Sequence, residues 1–226
     1  MVVGSSPPAG EEVVMSGMSG RFPESDNIYE FRDNLFNKRE MVTENEKRWK
    51  INHPNVSKRS AHIDNKLDAG HFGLHYRQAG NLDSALRVLM ETVTESIMDA
   101  GVNPLELKSS KTGVFIGFSY SVVENITFAE TAESQKFVVT GYFKFLFAHR
   151  LSYNLKLKGP SFIVDTACSS SGNTMYLAFK SIRSGECENA IVAGCNLTVH
   201  PGATIQFFRY KFHIYKDSNF FVTFLA

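Results

Sequence analysis

One cysteine stands where the sequence is best arranged for covalent chemistry. Residues 162–172 read Phe-Ile-Val-Asp-Thr-Ala-Cys-Ser-Ser-Ser-Gly. Phe162 to Val164 form an apolar run of buried-strand type, Asp165, Thr166 and Ala167 a tight turn, and Cys168 stands where a helix begins. Small or apolar residues then recur at Cys168, Gly172, Met175, Phe179 and Ile182, which traces one helix face. A thiol at the first turn of a helix sits at the positive end of the dipole, near unpaired backbone N–H groups, and that setting favours thiolate. The same N–H groups can hold the oxyanion formed when the thiolate attacks an acyl carbonyl. The parts are those of a nucleophile elbow, with cysteine in the role serine takes in hydrolases. The competing reading of any cysteine is a small, inert, buried hydrophobe. A papain-like Cys–His pair is disfavoured, because no papain-type signature surrounds Cys168.

The elements needed to position such a cysteine are legible on both sides of it. Glu12 to Met15 reads as a strand, and Asn27 to Asn37 as a helix with Ile28, Phe31 and Leu35 on one face. Residues 38–80 are mixed and polar and read as an irregular insertion with short turns. Leu82, Leu86, Leu89, Met90, Val93 and Ile97 define an amphipathic helix that ends at Asp99-Ala100-Gly101. Thr112 to Ser119 reads as a core strand, and Phe137 to Ser152 holds a helix bearing Tyr142, Phe145, Leu146 and His149. Ala190 to Ala193 is a strand after the Cys168 helix. Strands alternating with helices argue for an α/β fold with a parallel-rich sheet.

Asp165-Thr166-Ala167-Cys168-Ser169-Ser170-Ser171 resembles the active-site signature of β-ketoacyl synthases, the condensing enzymes of fatty-acid and polyketide synthesis. The resemblance runs in fixed order from Glu11 to Arg209. It takes in Glu12 to Pro23, Leu82-Asp83 with Leu86-Arg87, Thr112 to Gly117, Arg150-Leu151-Ser152-Tyr153, Lys158-Gly159-Pro160-Ser161, Ser184 to Cys187, and Val192-Ala193-Gly194. Met41-Val42-Thr43 and Arg48-Trp49 are similar to the animal fatty acid synthase version in particular.

The resemblance implies the N-terminal half of a thiolase-like fold, the C-terminal half being absent from these residues. In such folds two related α/β halves pack face to face, and the helix starting at the nucleophile lies in the middle layer. Without the second half, one wall around Met175, Leu177, Phe179 and Ile182 would face water. The implied reaction takes an acyl chain from a phosphopantetheine thioester of acyl carrier protein onto Cys168 and condenses it with a malonyl unit. Acyl carrier protein is the implied partner, and a homodimer the implied assembly. The family also needs two histidines and a lysine, all downstream of residue 209. None of the seven histidines here (His53, His62, His71, His75, His149, His200 and His213) sits in a matching motif, so surface or structural roles are expected for them. The alternatives are a non-catalytic truncated fragment or interaction subunit, and the ketosynthase of a reducing polyketide synthase.

Composition narrows the field further. The 226 residues carry a 43% apolar share, enough for a globular core, and a net charge of +1, which gives no basic field for nucleic acid. Three cysteines, with no CxxC and no metal-ligand spacing, point to a reducing compartment, no disulfide framework and no metal or bound cofactor. Residues 1–10 read as a disordered leader without a targeting signal, and no apolar stretch spans a membrane, which places the chain in the cytosol. Residues 210–226 are rich in aromatics, lack Gly and Pro, and do not continue the family pattern. They read as a gene-model artefact, such as intron sequence taken as exon, with a genuine lineage-specific ending as the alternative.

Overall fold

The computed structural model describes residues 12–44, 59–61, 63–64, 66–119, 141, 143–197 and 205. In chain order the elements are α1 (Ile28–Phe36), β1 (Thr43–Glu44), β2 (Arg59–Ser60), α2 (Tyr76–Gly80), α3 (Ser84–Asp99), β3 (Thr112–Gly117), α4 (Phe145–Asn154), β4 (Ser161–Val164), a 3-10 turn (Ala167–Ser169), α5 (Ser170–Arg183) and β5 (Asn189–Gly194). Strands β4, β3 and β5 form a parallel sheet in that order, so the last strand of the unit lies on the far side of the first. β1 and β2 form a two-residue antiparallel pair within the 38–80 insertion. The leader, the 210–226 tail, Tyr142, His53, His62, His200 and His213 lie outside the described residues.

The topology decides which helix covers which face. The chain steps from β3 to β4 through α4, then back past β3 to β5 through α5. Crossovers of parallel strands keep one hand, so a reversal of direction sends the second helix to the opposite face. The side chains of the central strand divide accordingly. Val114 and Ile116, with Phe118 just beyond, pack with Leu86, Leu89, Met90 and Val93 of α3 and Phe147 and Leu151 of α4. Phe115 points the other way, toward Ala178 of α5. β5 divides likewise, with Ile191 and Ala193 on the α3/α4 side and Ala190 and Val192 on the α5 side.

α3 is the principal wall of the larger core. Leu86, Leu89, Met90, Val93 and Ile97 are all buried, each worth roughly 1.5–3 kcal/mol relative to exposure. Asp83 caps its start by accepting from the Ala85 N–H at 2.7 Å. Gly101, at φ +74°, takes the left-handed position beyond its end, where a side chain would be strained. The sequence expectation for this helix and its ends holds, as it does for α1, whose cap Asn27 accepts from the N–H groups of Tyr29 and Glu30.

Two strand expectations need correction. Glu12 to Met15 is not a strand: Val13, Val14 and Met15 are exposed, and no strand among the described residues pairs with them. The chain after them is tied along α3 instead. The Met18 N–H donates to Asp99 Oδ2 at 2.8 Å, and Arg21 forms a two-pronged pair with Glu95. Phe162 in β4 is not buried but 49% exposed, because β4 is an edge of the described sheet and its α5-side face is only partly covered.

On α5, Met175, Leu177 and Phe179 are exposed, as expected of a wall that a second half would cover, with Gly172 and Tyr176 exposed beside them, whereas Ile182 packs, partly buried, against Phe115, Ala178 and Cys187. The buried face is Ser170, Thr174, Ala178 and Ser181, which shares the helical spacing but is small and polar. Its hydroxyls are satisfied locally: Ser170 Oγ donates to the Ala167 carbonyl, Thr174 Oγ1 to the Ser170 carbonyl and Ser181 Oγ to Glu186. They therefore carry little burial penalty. The sheet beneath is small as well. A Cβ added to Gly117 would stand 2.9 Å from the Ser170 carbonyl carbon and from Thr174 Oγ1, and 3.0 Å from the Ser171 nitrogen.

Gly117→Val should thus force α5 off β3 and destabilise the chain by about 1–3 kcal/mol. Gly172→Ala, where an added Cβ meets nothing within 4 Å, should be neutral or stabilising by up to about 1 kcal/mol. Denaturant midpoints of the two variants check this. A tolerated Gly117→Val would show that the helix does not depend on this approach.

Candidate active site

The site is built where β4 turns into α5. Val164 ends the strand, and Ala167 takes φ +54°, a left-handed backbone that costs an alanine about 1–2 kcal/mol. The chain passes through a 3-10 turn that starts on this residue, Ala167–Ser169, before α5 begins at Ser170. Cys168 is the middle residue of that turn and is exposed. It therefore sits just ahead of α5, whose N-cap is Ser169, and not within its first α-helical turn as the sequence suggested. The strand–turn–helix arrangement is otherwise as expected. The sulfur lies at the N-terminal mouth of α5, beyond the carboxyl end of β4. That is the edge of an α/β sheet where ligands collect.

A dense set of hydrogen bonds holds the strained turn. The Ala167 N–H donates to Asp165 Oδ1 at 3.2 Å. Its carbonyl accepts from Ser170 Oγ at 2.7 Å and from Ser119 Oγ at 3.1 Å. Ser170 Oγ also accepts from the Thr166 N–H at 3.0 Å. Asn173 Nδ2 donates to Thr166 Oγ1 at 2.9 Å and to the Ser169 carbonyl at 3.1 Å, pinning the far side of the turn. Asp165 Oδ2 lies 3.1 Å from Lys144 Nζ. Desolvation acts to raise the Asp165 pKa, but the Lys144 ammonium, the Ala167 N–H and the Ser119 hydroxyl outweigh it and hold the carboxyl below its ordinary value. Residue types alone did not reveal these partners. The signal available in the sequence was the run of hydroxyl residues around the cysteine.

The other two cysteines are of a different kind. Cys187 packs with Phe115 and Ala178, and desolvation is the main cause that raises its thiol pKa. Cys195 is buried in the larger core, where desolvation again pushes the thiol up. Both are held in the less nucleophilic protonated form.

The described histidines stand away from Cys168 in the chain's architecture. His149 Nδ1 pairs with Ser161 Oγ at 3.0 Å, at the opposite end of β4 from the cysteine. His75 caps α2, and His71 is exposed with its ring edge-on to Phe72. No group of three or more His, Cys, Asp or Glu residues among those described could hold a metal ion. No described helix is long and apolar enough to cross a membrane.

A parallel layered α/β unit presenting an exposed cysteine on a strained strand-to-helix elbow is the arrangement of a thiolase-like condensing domain. The family model for the Beta-ketoacyl synthase, N-terminal domain, matches residues 10–221, and the chain belongs to that family. A fatty acid synthase from Anser anser anser is 39% identical over 201 residues, covering 88% of this chain and 57% of the goose sequence. Polyketide synthase PksM of Bacillus subtilis is 34% identical over 224 residues, covering 91% of this chain and 5% of that one. Among solved structures, the oxazolomycin ketosynthase domain OzmH KS7 of Streptomyces albus superposes with a TM-score of 0.77 at 28% identity. That match covers 87% of this chain and 36% of the solved one. The ketosynthase from module 6 of the Bacillus subtilis bacillaene synthase gives 0.73 at 28%, covering 86% and 32%. The chain thus spans little more than half of the goose sequence and about a third of each solved ketosynthase.

Under limiting iodoacetamide, Cys168 should be alkylated well before Cys187 and Cys195, as read by peptide mass mapping of the folded chain. Equal labelling of the three thiols in a folded sample would contradict the site. The lowered Asp165 pKa also carries a pH signature. Its contribution is present above the ordinary carboxylate value of 3.8 and is lost as pH falls through the lowered one. The difference in thermal midpoint between the chain and its Asp165→Asn variant should therefore close as pH drops below that range. A gap that persists under acid conditions would mean that the Asp165 charge is not what matters.

Proposed function

We propose that Cys168 is the acyl-accepting nucleophile of a β-ketoacyl synthase that elongates chains in fatty acid synthesis. The observation that carries this reading is the exposed thiol on the left-handed Ala167 elbow, at the mouth of α5. In the reaction, the Cys168 thiolate attacks the carbonyl of an acyl thioester borne on acyl carrier protein phosphopantetheine. A new bond forms from the Cys168 sulfur to the acyl carbon. The phosphopantetheine sulfur departs with its electron pair and takes up a proton. Unpaired backbone N–H groups at the start of a helix such as α5 can receive the oxyanion.

Condensation then requires a malonyl thioester to lose its carboxylate as carbon dioxide. The electrons of the broken C–C bond form an enolate whose carbon attacks the Cys168 thioester. The new C–C bond lengthens the chain by two carbons and frees the Cys168 thiolate. Polarising the malonyl carbonyl and stabilising the enolate need donors such as histidines. The 226 residues supply none in a family position, and the longer relatives leave room for them beyond this region. The apolar outer side of α5, with Met175, Leu177 and Phe179, suits a helix that such a further half would cover, in a synthase that works as a homodimer. The match to the goose fatty acid synthase, 39% identity over 88% of the chain, supports the fatty-acid reading.

The 226-residue chain incubated with radiolabelled acyl and malonyl thioesters should take up acyl label slowly, lose that uptake in the Cys168→Ala variant, and release no β-ketoacyl product. Turnover to product would show that a histidine within the chain performs the decarboxylation. Undiminished uptake by Cys168→Ala would remove Cys168 from the reaction.

A further inference from the structure

We propose that Lys144 is a positioning residue for Cys168, acting through the two groups that clamp Ala167. The inference rests on the reading of Cys168 as the acyl acceptor. Lys144 stands at the N-terminal end of α4, on the other face of the sheet from α5. Its ammonium reaches over the carboxyl edge of the sheet and donates to Asp165 Oδ2 at 3.1 Å and to the Ser119 carbonyl at 3.4 Å. These two residues are the ones that grip Ala167 from opposite ends. Asp165 takes its N–H, and the Ser119 hydroxyl donates to its carbonyl. Ser119 Oγ also lies 3.2 Å from Ser170 Oγ, the third group on that carbonyl.

One cation therefore ties the segment after β3 to the segment after β4, around the residue that precedes the nucleophile and bears the strained backbone. Without it, Asp165 and Ser119 lose the cation that ties them together, and they oppose relaxation of Ala167 toward an ordinary conformation less firmly. Relaxation there re-aims the next residue, Cys168. Both partners of the ion pair are about 40% exposed, and exposed pairs of this kind add little to global stability. The effect is thus expected in the reactivity of the cysteine and not in the melting of the fold.

The test compares the chain with Lys144→Met, Lys144→Arg, Asp165→Asn and the Lys144→Met/Asp165→Asn double variant. Cys168 alkylation rate, thermal midpoint and acyl uptake from an acyl-phosphopantetheine thioester are measured for each. Lys144→Met should slow Cys168 alkylation by about tenfold, as expected for a misplaced reacting group, with the thermal midpoint nearly unchanged. Lys144→Arg should restore the rate, because it keeps the charge and can donate to both oxygens. The double variant should be no slower than the slower single one, since the two residues share one interaction. Alkylation of Lys144→Met at the parent rate overturns the proposal, as does failure of Lys144→Arg to rescue or additivity in the double variant. Labelling of all three cysteines in Lys144→Met would mean unfolding, making Lys144 a structural residue, and would also overturn it. Absence of acyl uptake by the parent chain, with the alkylation pattern intact, would instead sink the acyl-acceptor reading and leave the Lys144 result standing.

Discussion

The close approach of α5 to the central strand is the contact on which the rest of the structure depends. Gly117 has no side chain, and Ser170 and Thr174 have short ones, so the first turn of α5 rests almost on the backbone of β3. That contact fixes where the helix begins. It leaves too little chain for an open loop between β4 and α5, and the connection is made through a single left-handed alanine. The strained alanine in turn lifts Cys168 out of the helix and onto the surface. Small residues here do the work that bulky packing does elsewhere: they set a distance.

The two faces of the sheet are unequal in a way that follows from the same contact. Toward α3 and α4 the core is deep and aliphatic, with several side chains fully buried. Toward α5 only Phe115, Ala178 and Cys187 are buried hydrophobics. Met175, Tyr176, Leu177 and Phe179 of α5 point outward instead, and only Ile182 packs partly buried against that cluster. An amphipathic surface helix places its apolar stripe against the sheet and its polar stripe in water. α5 does the reverse, and an exposed patch of this kind marks a surface meant to be covered. Its inner polar stripe tolerates burial because each hydroxyl bonds to a nearby oxygen acceptor, a carbonyl for Ser170 and Thr174 and Glu186 for Ser181.

Much of this was legible in the sequence, and the parts that were not share one cause. The leucine periodicity and the Asp99-Ala100-Gly101 ending of α3 gave the helix and its terminus, because a deep one-sided core leaves a strong pattern. The strand–turn–helix around Asp165 was legible from the same local chemistry. For α5, periodicity reports which residues share a side, not which side meets the protein, so the small stripe that rests on the sheet was not legible as such. Ser170, Thr174, Ala178 and Ser181 have equally good spacing, but hydropathy alone ranks them second. Glu12 to Met15 has strand-like residues, yet the chain that follows is held along α3 by Asp99 and Glu95, contacts some eighty residues away that no local window contains. The partners of the elbow were hidden for the same reason: Ser119 and Lys144 reach Asp165 and Ala167 only once the sheet has formed.

The central claim is that the fold presents Cys168, and not another group, to an acyl thioester. The most direct measurement is the intact mass of the chain after incubation with an acyl-phosphopantetheine thioester, followed by peptide mapping of the adduct. The account predicts a single acyl addition on the peptide containing Cys168, released by neutral hydroxylamine as a thioester is. An adduct on a serine or lysine, or on Cys187 or Cys195, would contradict it.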